Sequence, residues 1–146
     1  MAMFRGSYRH SIDHKGRVSI PARFRRLLSS EAGDTFIILR GLETCVALYP
    51  IDEWRRMEER LRSRSFHDPI HRRFLRLMAL DLNEETLDSQ GRLSIPPRLL
   101  GHAQLKREAM VNGVMDHIEI WDPDLFDQYV GGSERSYEDM AGELLL

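Results

Sequence analysis

Residues 13–24 read DHKGRVSIPARF, and residues 88–99 read DSQGRLSIPPRL. Seven of the twelve positions are identical at a spacing of 75: Asp, Gly, Arg, Ser, Ile, Pro and Arg. An aspartate ahead of a tight turn accepts hydrogen bonds from backbone N–H groups two residues on, and glycine supplies the left-handed backbone that such turns need. The runs SYRHSID and RVSIP flank HKG. The phrase therefore predicts a β-hairpin with Gly16 at the left-handed position of a three-residue turn. Asp13 can then orient Arg17 across the hairpin mouth, and Asp88, Gly91 and Arg92 repeat the arrangement. A lone surface ion pair of this kind is worth less than ~1 kcal/mol. Its recurrence in both copies of a diverged repeat points to more than the closing of a turn.

The likeness extends past the phrase. RGLETCVALYPIDEW (residues 40–54) aligns with NGVMDHIEIWDPDLF (residues 112–126) at a spacing of 72, and the change from 75 reads as one small loop deletion. Each unit runs hairpin, proline, short helix, two strands, helix. Two such units are too few for a solenoid array. The division expected is a first repeat over 3–66, a linking helix over 67–80, a second repeat over 81–130 and a tail over 131–146.

Local signals place the remaining elements. Pro21, and Pro96 with Pro97, end a strand and open a helix at its first turn. Phe24, Leu27 and Leu28 give helical spacing in PARFRRLLSS, and DTFIILRG with TCVALYP makes a second strand pair. In IDEWRRMEERLRSRSF, Trp54, Met57 and Leu61 share one helix face, with a Glu58–Arg62 i,i+4 pair outside. Asp68 is placed to cap a helix that starts at Pro69 and runs through Ile70, Phe74 and Leu77, a basic link between the units. The tail GGSERSYEDMAGELLL opens on glycines and ends apolar, and is read as either frayed or docked on a neighbour.

Charge is unevenly divided. The net charge is only −2, yet residues 1–80 hold 16 Lys and Arg against 9 Asp and Glu, while residues 81–146 hold 5 against 14. Such asymmetry suits a polyanion partner for the basic half, or attraction between opposite ends of neighbouring copies. The single cysteine, Cys45, makes no intramolecular disulfide, which fits a reducing cytosol. The opening MAMFRGSYRH shows no apolar leader, and no apolar run approaches the ~20 residues of a membrane span.

The stretches MFRGSYRHSIDHKGRVSIPARFR, RGLETCVALYPIDEW, LDSQGRLSIP and IEIWDPDLF together resemble the MraZ family, over roughly residues 3–130 and with both D-x-x-x-R motifs in order. The resemblance implies a β-rich α+β fold of two tandem swapped-hairpin, AbrB-like units joined as a pseudo-dimer. It implies a cytoplasmic, nucleoid-associated repressor that binds promoter DNA and controls its own operon of division and cell-wall genes. Several chains would close into a ring-like homo-oligomer. The second turn departs from the pattern, carrying Ser89 and Gln90 where a more basic pair is usual.

The residue chemistry agrees. Units near 70 residues bury little core alone, so interleaving would help them. Both turns would project from one edge. Arg17 and Arg92 offer planar forks suited to phosphate or to the O6/N7 edge of guanine. Lys15 is a point charge suited to phosphate, with His14 and Ser89 as further donors on the turns. Gln90 reads adenine or bonds backbone. Asp13 and Asp88 would repel phosphate, so they orient the arginines, and Gly16 and Gly91 shape the bends. The competing class is a ring-assembly protein with only nonspecific DNA affinity.

Other constellations read as structural. His67 and His71 stand i,i+4, but Pro69 starts a helix between them and no cysteine or further carboxylate completes a ligand set. Cys45 lies in an apolar strand pattern and reads as buried rather than nucleophilic. No phosphate-cradling glycine loop and no hydrolase or zinc-protease motif is present, and an arginine beside each of Asp13 and Asp88 keeps it ionised, a poor state for a general acid. No enzyme, cofactor, metal or small-molecule substrate is expected. Trp54, Phe74, Trp121 and Phe126 read as core. Arg5 and the Arg23, Arg25, Arg26 cluster read as a solvated helix face or a subunit contact rather than a wider DNA footprint.

Overall fold

The computed structural model describes residues 3–145. Strands β1 (Ser7–Ser11) and β2 (Arg17–Ser19), helix α1 (Ala22–Arg25), strands β3 (Thr35–Arg40) and β4 (Val46–Pro50) and helix α2 (Ile51–Arg62) make the first repeat. Helix α3 (Pro69–Asp81) leads into strands β5 (Asn83–Thr86) and β6 (Arg92–Ser94), helix α4 (Pro97–His102), strands β7 (Glu108–Val114) and β8 (His117–Trp121) and helix α5 (Pro123–Gly131). Helix α6 (Tyr137–Leu145) closes the chain.

The two repeats are woven into one body. A six-stranded antiparallel sheet has the order β1-β7-β8-β4-β3-β5, and β2 pairs with β6 in a separate two-stranded layer. Exchanging the repeats maps each order onto itself, which defines an approximate two-fold axis between β4 and β8. The register agrees. Val18 lies opposite Leu93, and Ala47 opposite Glu119, so each residue on the axis faces its own counterpart.

The registers also correct the single-deletion reading. Counterparts stand 75 apart at Val18 and Leu93, 73 apart at Ile38 and Val111, and 72 apart at Leu48 and Ile120. Two residues are therefore lost between α4 and β7, and one more in the β7–β8 loop.

The expected local hairpin is a turn without a ladder. Only the single bridge Ile12 to Val18 joins its two sides, while β1 runs off to β7 and β2 to β6. The reason is burial. Val18, Ile20, Leu93 and Ile95 enter one core with Phe24, Phe36, Leu48 and Ile120, and that core is filled from both repeats. Strand β3 alternates as a two-residue period requires, with Phe36 and Ile38 in this core and Ile37 and Leu39 on the opposite face.

Helix α2 covers that opposite face with Trp54, Met57 and Leu61, as its spacing predicts. Glu58 accepts the Trp54 indole N–H at 2.8 Å rather than forming the i,i+4 pair with Arg62 that its spacing predicts. Asp68 caps α3, its Oδ1 accepting from Ile70 N at 2.9 Å, and Pro69 occupies the first helical position. The α3 stripe of Ile70, Phe74 and Leu77 is largely exposed, against the expectation of core packing at Phe74; His71 and Met78 turn inward instead. Helix α1 is shorter than its apolar spacing suggests, because i→i+3 bonds at Leu27 and Leu28 tighten and end it. No helix among the described residues is long and apolar enough to cross a membrane.

Candidate nucleic-acid interface

The repeated phrase builds one composite site rather than two separate ones. In the first turn Gly16 has φ +74° and Gly91 repeats it at +75° in the second. Asp13 Oδ1 accepts the backbone N–H of Lys15 and of Arg17, both at 2.9 Å. Its Oδ2 accepts Arg17 Nε–H at 2.8 Å. Asp88 copies every bond: Gln90 and Arg92 N–H at 2.9 Å, and Arg92 Nε–H at 2.8 Å.

Swapped strands clamp the turns side by side. Ile20 N–H donates to the Gly91 carbonyl at 3.0 Å, and Ile95 N–H to the Gly16 carbonyl at 2.9 Å. The consequence was invisible to local reading: each arginine also faces the other repeat's aspartate. Arg17 Nη1 lies 4.0 Å from Asp88 Oδ2, and Arg92 Nη1 lies 3.9 Å from Asp13 Oδ2. Two cations and two anions alternate around the pseudo-two-fold axis, so two guanidinium groups stand close together without net repulsion.

Electrostatics fix the protonation states. The backbone N–H of Arg17 is the largest influence holding the Asp13 carboxyl down at about 2, against the opposing effect of desolvation and with help from the Arg17 side chain. Asp88 is lowered in the same way by Arg92 N–H and then by the Arg92 side chain. Both carboxylates therefore stay ionised near neutral pH and serve as fixed acceptors.

Each guanidinium carries five N–H donors. Among the described residues only Nε–H of the Arg17 and of the Arg92 guanidinium makes a hydrogen bond; the terminal nitrogens make none, their nearest carboxylate contacts being the longer ion pairs to the opposite aspartate. The arginine side chains are 24% and 28% exposed. His14, Lys15, Ser89 and Gln90 are exposed at the turn tips, while Gly16 and Gly91 are buried beneath them. Oriented, partly buried guanidinium donors around an approximate two-fold axis are suited to anionic oxygens and to planar acceptor edges.

Other candidate groups sit elsewhere. Cys45 is fully buried, burial pushes its thiol up to about 12, and its Sγ–H donates to Leu42 O at 3.6 Å. His67 precedes α3, and His71 is buried on its first turn. Trp54 and Trp121 are buried, and Phe126 packs edge-on against Trp121. Arg23 Nη1 donates to the Tyr8 hydroxyl at 3.3 Å.

The site and the interleaved sheet define a class: tandem-repeat proteins whose two swapped-hairpin halves present paired acidic-basic turns. Comparison with known proteins gives the family. The family model described as "MraZ protein, putative antitoxin-like" matches twice, over residues 3–77 and 78–146. The chain is 42% identical over 142 residues to the transcriptional regulator MraZ of Alkaliphilus metalliredigens, covering 97% of this chain and 96% of that protein. It is 39% identical over 143 residues to the transcriptional regulator MraZ of Natranaerobius thermophilus, and 41% identical over 143 residues to that of Desulfitobacterium hafniense. Each of these alignments spans 98% of this chain and 97% of the relative. The chain belongs to the MraZ family of transcriptional regulators, which are not enzymes.

Proposed function

We propose that the chain binds promoter DNA through its paired turns and regulates transcription by doing so. The observation that carries this reading is the alternating cluster of Asp13, Arg17, Asp88 and Arg92, each arginine hydrogen-bonded through Nε to its own aspartate while its terminal nitrogens, ion-paired at longer range to the opposite aspartate, keep hydrogen-bond donors for a ligand. In a major groove the two forks are suited to adjacent guanine edges or phosphates, Lys15 to a phosphate, and His14, Ser89 and Gln90 to neighbouring polar groups. Asp13, Asp88, Gly16 and Gly91 orient these donors without touching DNA. A single chain offers few phosphate contacts, so its affinity alone is weak and falls steeply with salt.

Self-assembly raises that affinity through effective concentration when several chains meet repeated operator elements. Two features support a ring-like homo-oligomer. The exposed α3 stripe borders an apolar groove lined by Leu39, Tyr49, Met57, Leu77 and His117, while α6 exposes Tyr137, Leu144 and Leu145 with acidic neighbours. Basic α3 and acidic α5 and α6 can then attract each other between copies. The regulated target, by resemblance, is the chain's own operon of division and cell-wall genes, with repression as the effect and the cytoplasmic nucleoid as the place.

Fluorescence-anisotropy titration of a duplex from upstream of this protein's gene, beside a scrambled duplex at two salt concentrations, tests the reading. Tighter binding to the native duplex that survives scrambled competitor is the expected result. Equal binding to both duplexes, abolished by salt, would leave a ring-assembly protein with a nonspecific polyanion surface.

A further inference from the structure

The two turns differ in their own charge, since the first carries His14 and Lys15 where the second carries Ser89 and Gln90. The fold compensates by exchange between repeats. Because Ile20 is bonded to Gly91, the start of α1 lies beside the second turn, and α4 lies beside the first. Residues 25 and 100 are counterparts at the spacing of 75, and each reaches the other repeat's turn glycine. A Cβ placed on Gly91 would meet Arg25 Cζ at 2.7 Å and Arg25 Nε at 2.8 Å, so the guanidinium lies flat against that glycine. A Cβ on Gly16 would meet Leu100 Cδ1 at 3.0 Å. The basic turn is backed by a leucine, and the neutral turn by an arginine.

Arg25 is also held for use. Its Nε–H donates to the Ile20 carbonyl at 3.1 Å, and among the described residues no carboxylate lies within ion-pair distance of it. The residue is exposed. We propose that Arg25 is a DNA-contacting residue of the second turn, supplying from the first repeat the phosphate-binding cation that Ser89 and Gln90 lack. Each turn then presents two cations, Lys15 with Arg17 and Arg25 with Arg92. This rests on the DNA-binding reading above, and it revises the assignment of Arg25 to a solvated helix face.

The second repeat supplies the natural test substitution. Leucine already packs on a turn glycine at the counterpart position, so Arg25→Leu keeps the packing and removes the charge. The full chain, Arg25→Leu, Arg25→Leu with Gln90→Lys, Arg25→Gln and Arg26→Ala are titrated against the native upstream duplex and its scramble over a range of salt. Loss of one phosphate contact should weaken binding about five- to tenfold near 0.1 M salt, equally for both duplexes, and reduce the salt slope by about 0.9 for each bound chain. Arg25→Gln should match Arg25→Leu, Gln90→Lys should restore the slope, and Arg26→Ala should change nothing. Melting temperature separates a folding defect from this electrostatic loss. Wild-type affinity and slope in both Arg25 variants would overturn the proposal. Failure of the unmodified chain to bind either duplex would instead remove the DNA reading itself.

Discussion

Truncating Leu93 to alanine asks whether the two repeats unfold as one body. Leu93 is fully buried and lies opposite Val18 where the repeats cross. Removing its three outer carbons forfeits about 2.4 kcal/mol at roughly 0.8 kcal/mol per buried methylene. The cavity adds to this, because Val18 and Leu93 sit in a short ladder that cannot slide inward, and the total should reach about 3–4 kcal/mol. With a urea m-value of about 2 kcal/mol/M, the midpoint should fall by about 1.5–2 M. Trp54 lies in the first repeat and Trp121 in the second, both nearly buried. Reporters carrying only one of them, made by Trp121→Phe or Trp54→Phe, are unfolded at one fixed protein concentration. Both should lose the same midpoint shift, in step with far-UV circular dichroism. A Trp54 signal that keeps its midpoint while the Trp121 signal falls would refute the interlocked core.

Three further outcomes follow from the same geometry. Asp13 is depressed from 3.8 to about 2, so the stability it confers is present above the ordinary aspartate range and is lost as pH falls through about 2. Asp13→Asn should flatten the acid limb of melting temperature against pH between 5 and 2; an unchanged limb would contradict the turn geometry. For His117, burial alone would lower the imidazole pKa, but hydrogen bonds to Glu119 and Asp116 outweigh it, and the net shift is upward from 6.5. Its stabilisation is complete below 6.5 and fades as pH rises through the folded value. A ring-proton NMR titration should give a pKa above 6.5 that drops in Glu119→Gln, and a value below 6.5 in the unmodified chain would refute the assignment. Gly91→Ala must take φ +75° with a side chain and displace Arg25, so it should cost about 1–2 kcal/mol and lower the melting temperature by several degrees. A melting temperature equal to that of the unmodified chain would show that neither constraint acts.

Much of this was legible in the sequence where the chemistry is local. Asp13 with Gly16 announces the turn, Asp68 with Pro69 announces α3, and the spacing of Trp54, Met57 and Leu61 announces the buried face of α2. Pairing partners are a different matter. β1 and β2 flank one turn, and local chemistry names them a hairpin; the crossing was implied by the resemblance to swapped-hairpin proteins, and the shared core shows why each strand gains by it. The same limit hid the contacts of Arg17 with Asp88 and of Arg25 with Gly91, since residues some 70 positions apart meet only through the weave. Alignment of Arg25 with Leu100 was the one available signal. The stripe of Ile70, Phe74 and Leu77 illustrates a second limit. Periodicity identifies an apolar helix face but not whether its cover comes from the same chain.

The central claim is that the two turns act as one DNA-reading site. Arg17→Ala, Arg92→Ala and the double variant, checked for unchanged melting temperature and unchanged assembly size, are titrated against native and scrambled upstream duplexes. Each single variant should lose the preference for the native duplex, and the double should lose little more, because the four charges share one cluster. Full preference retained in Arg17→Ala would contradict the claim.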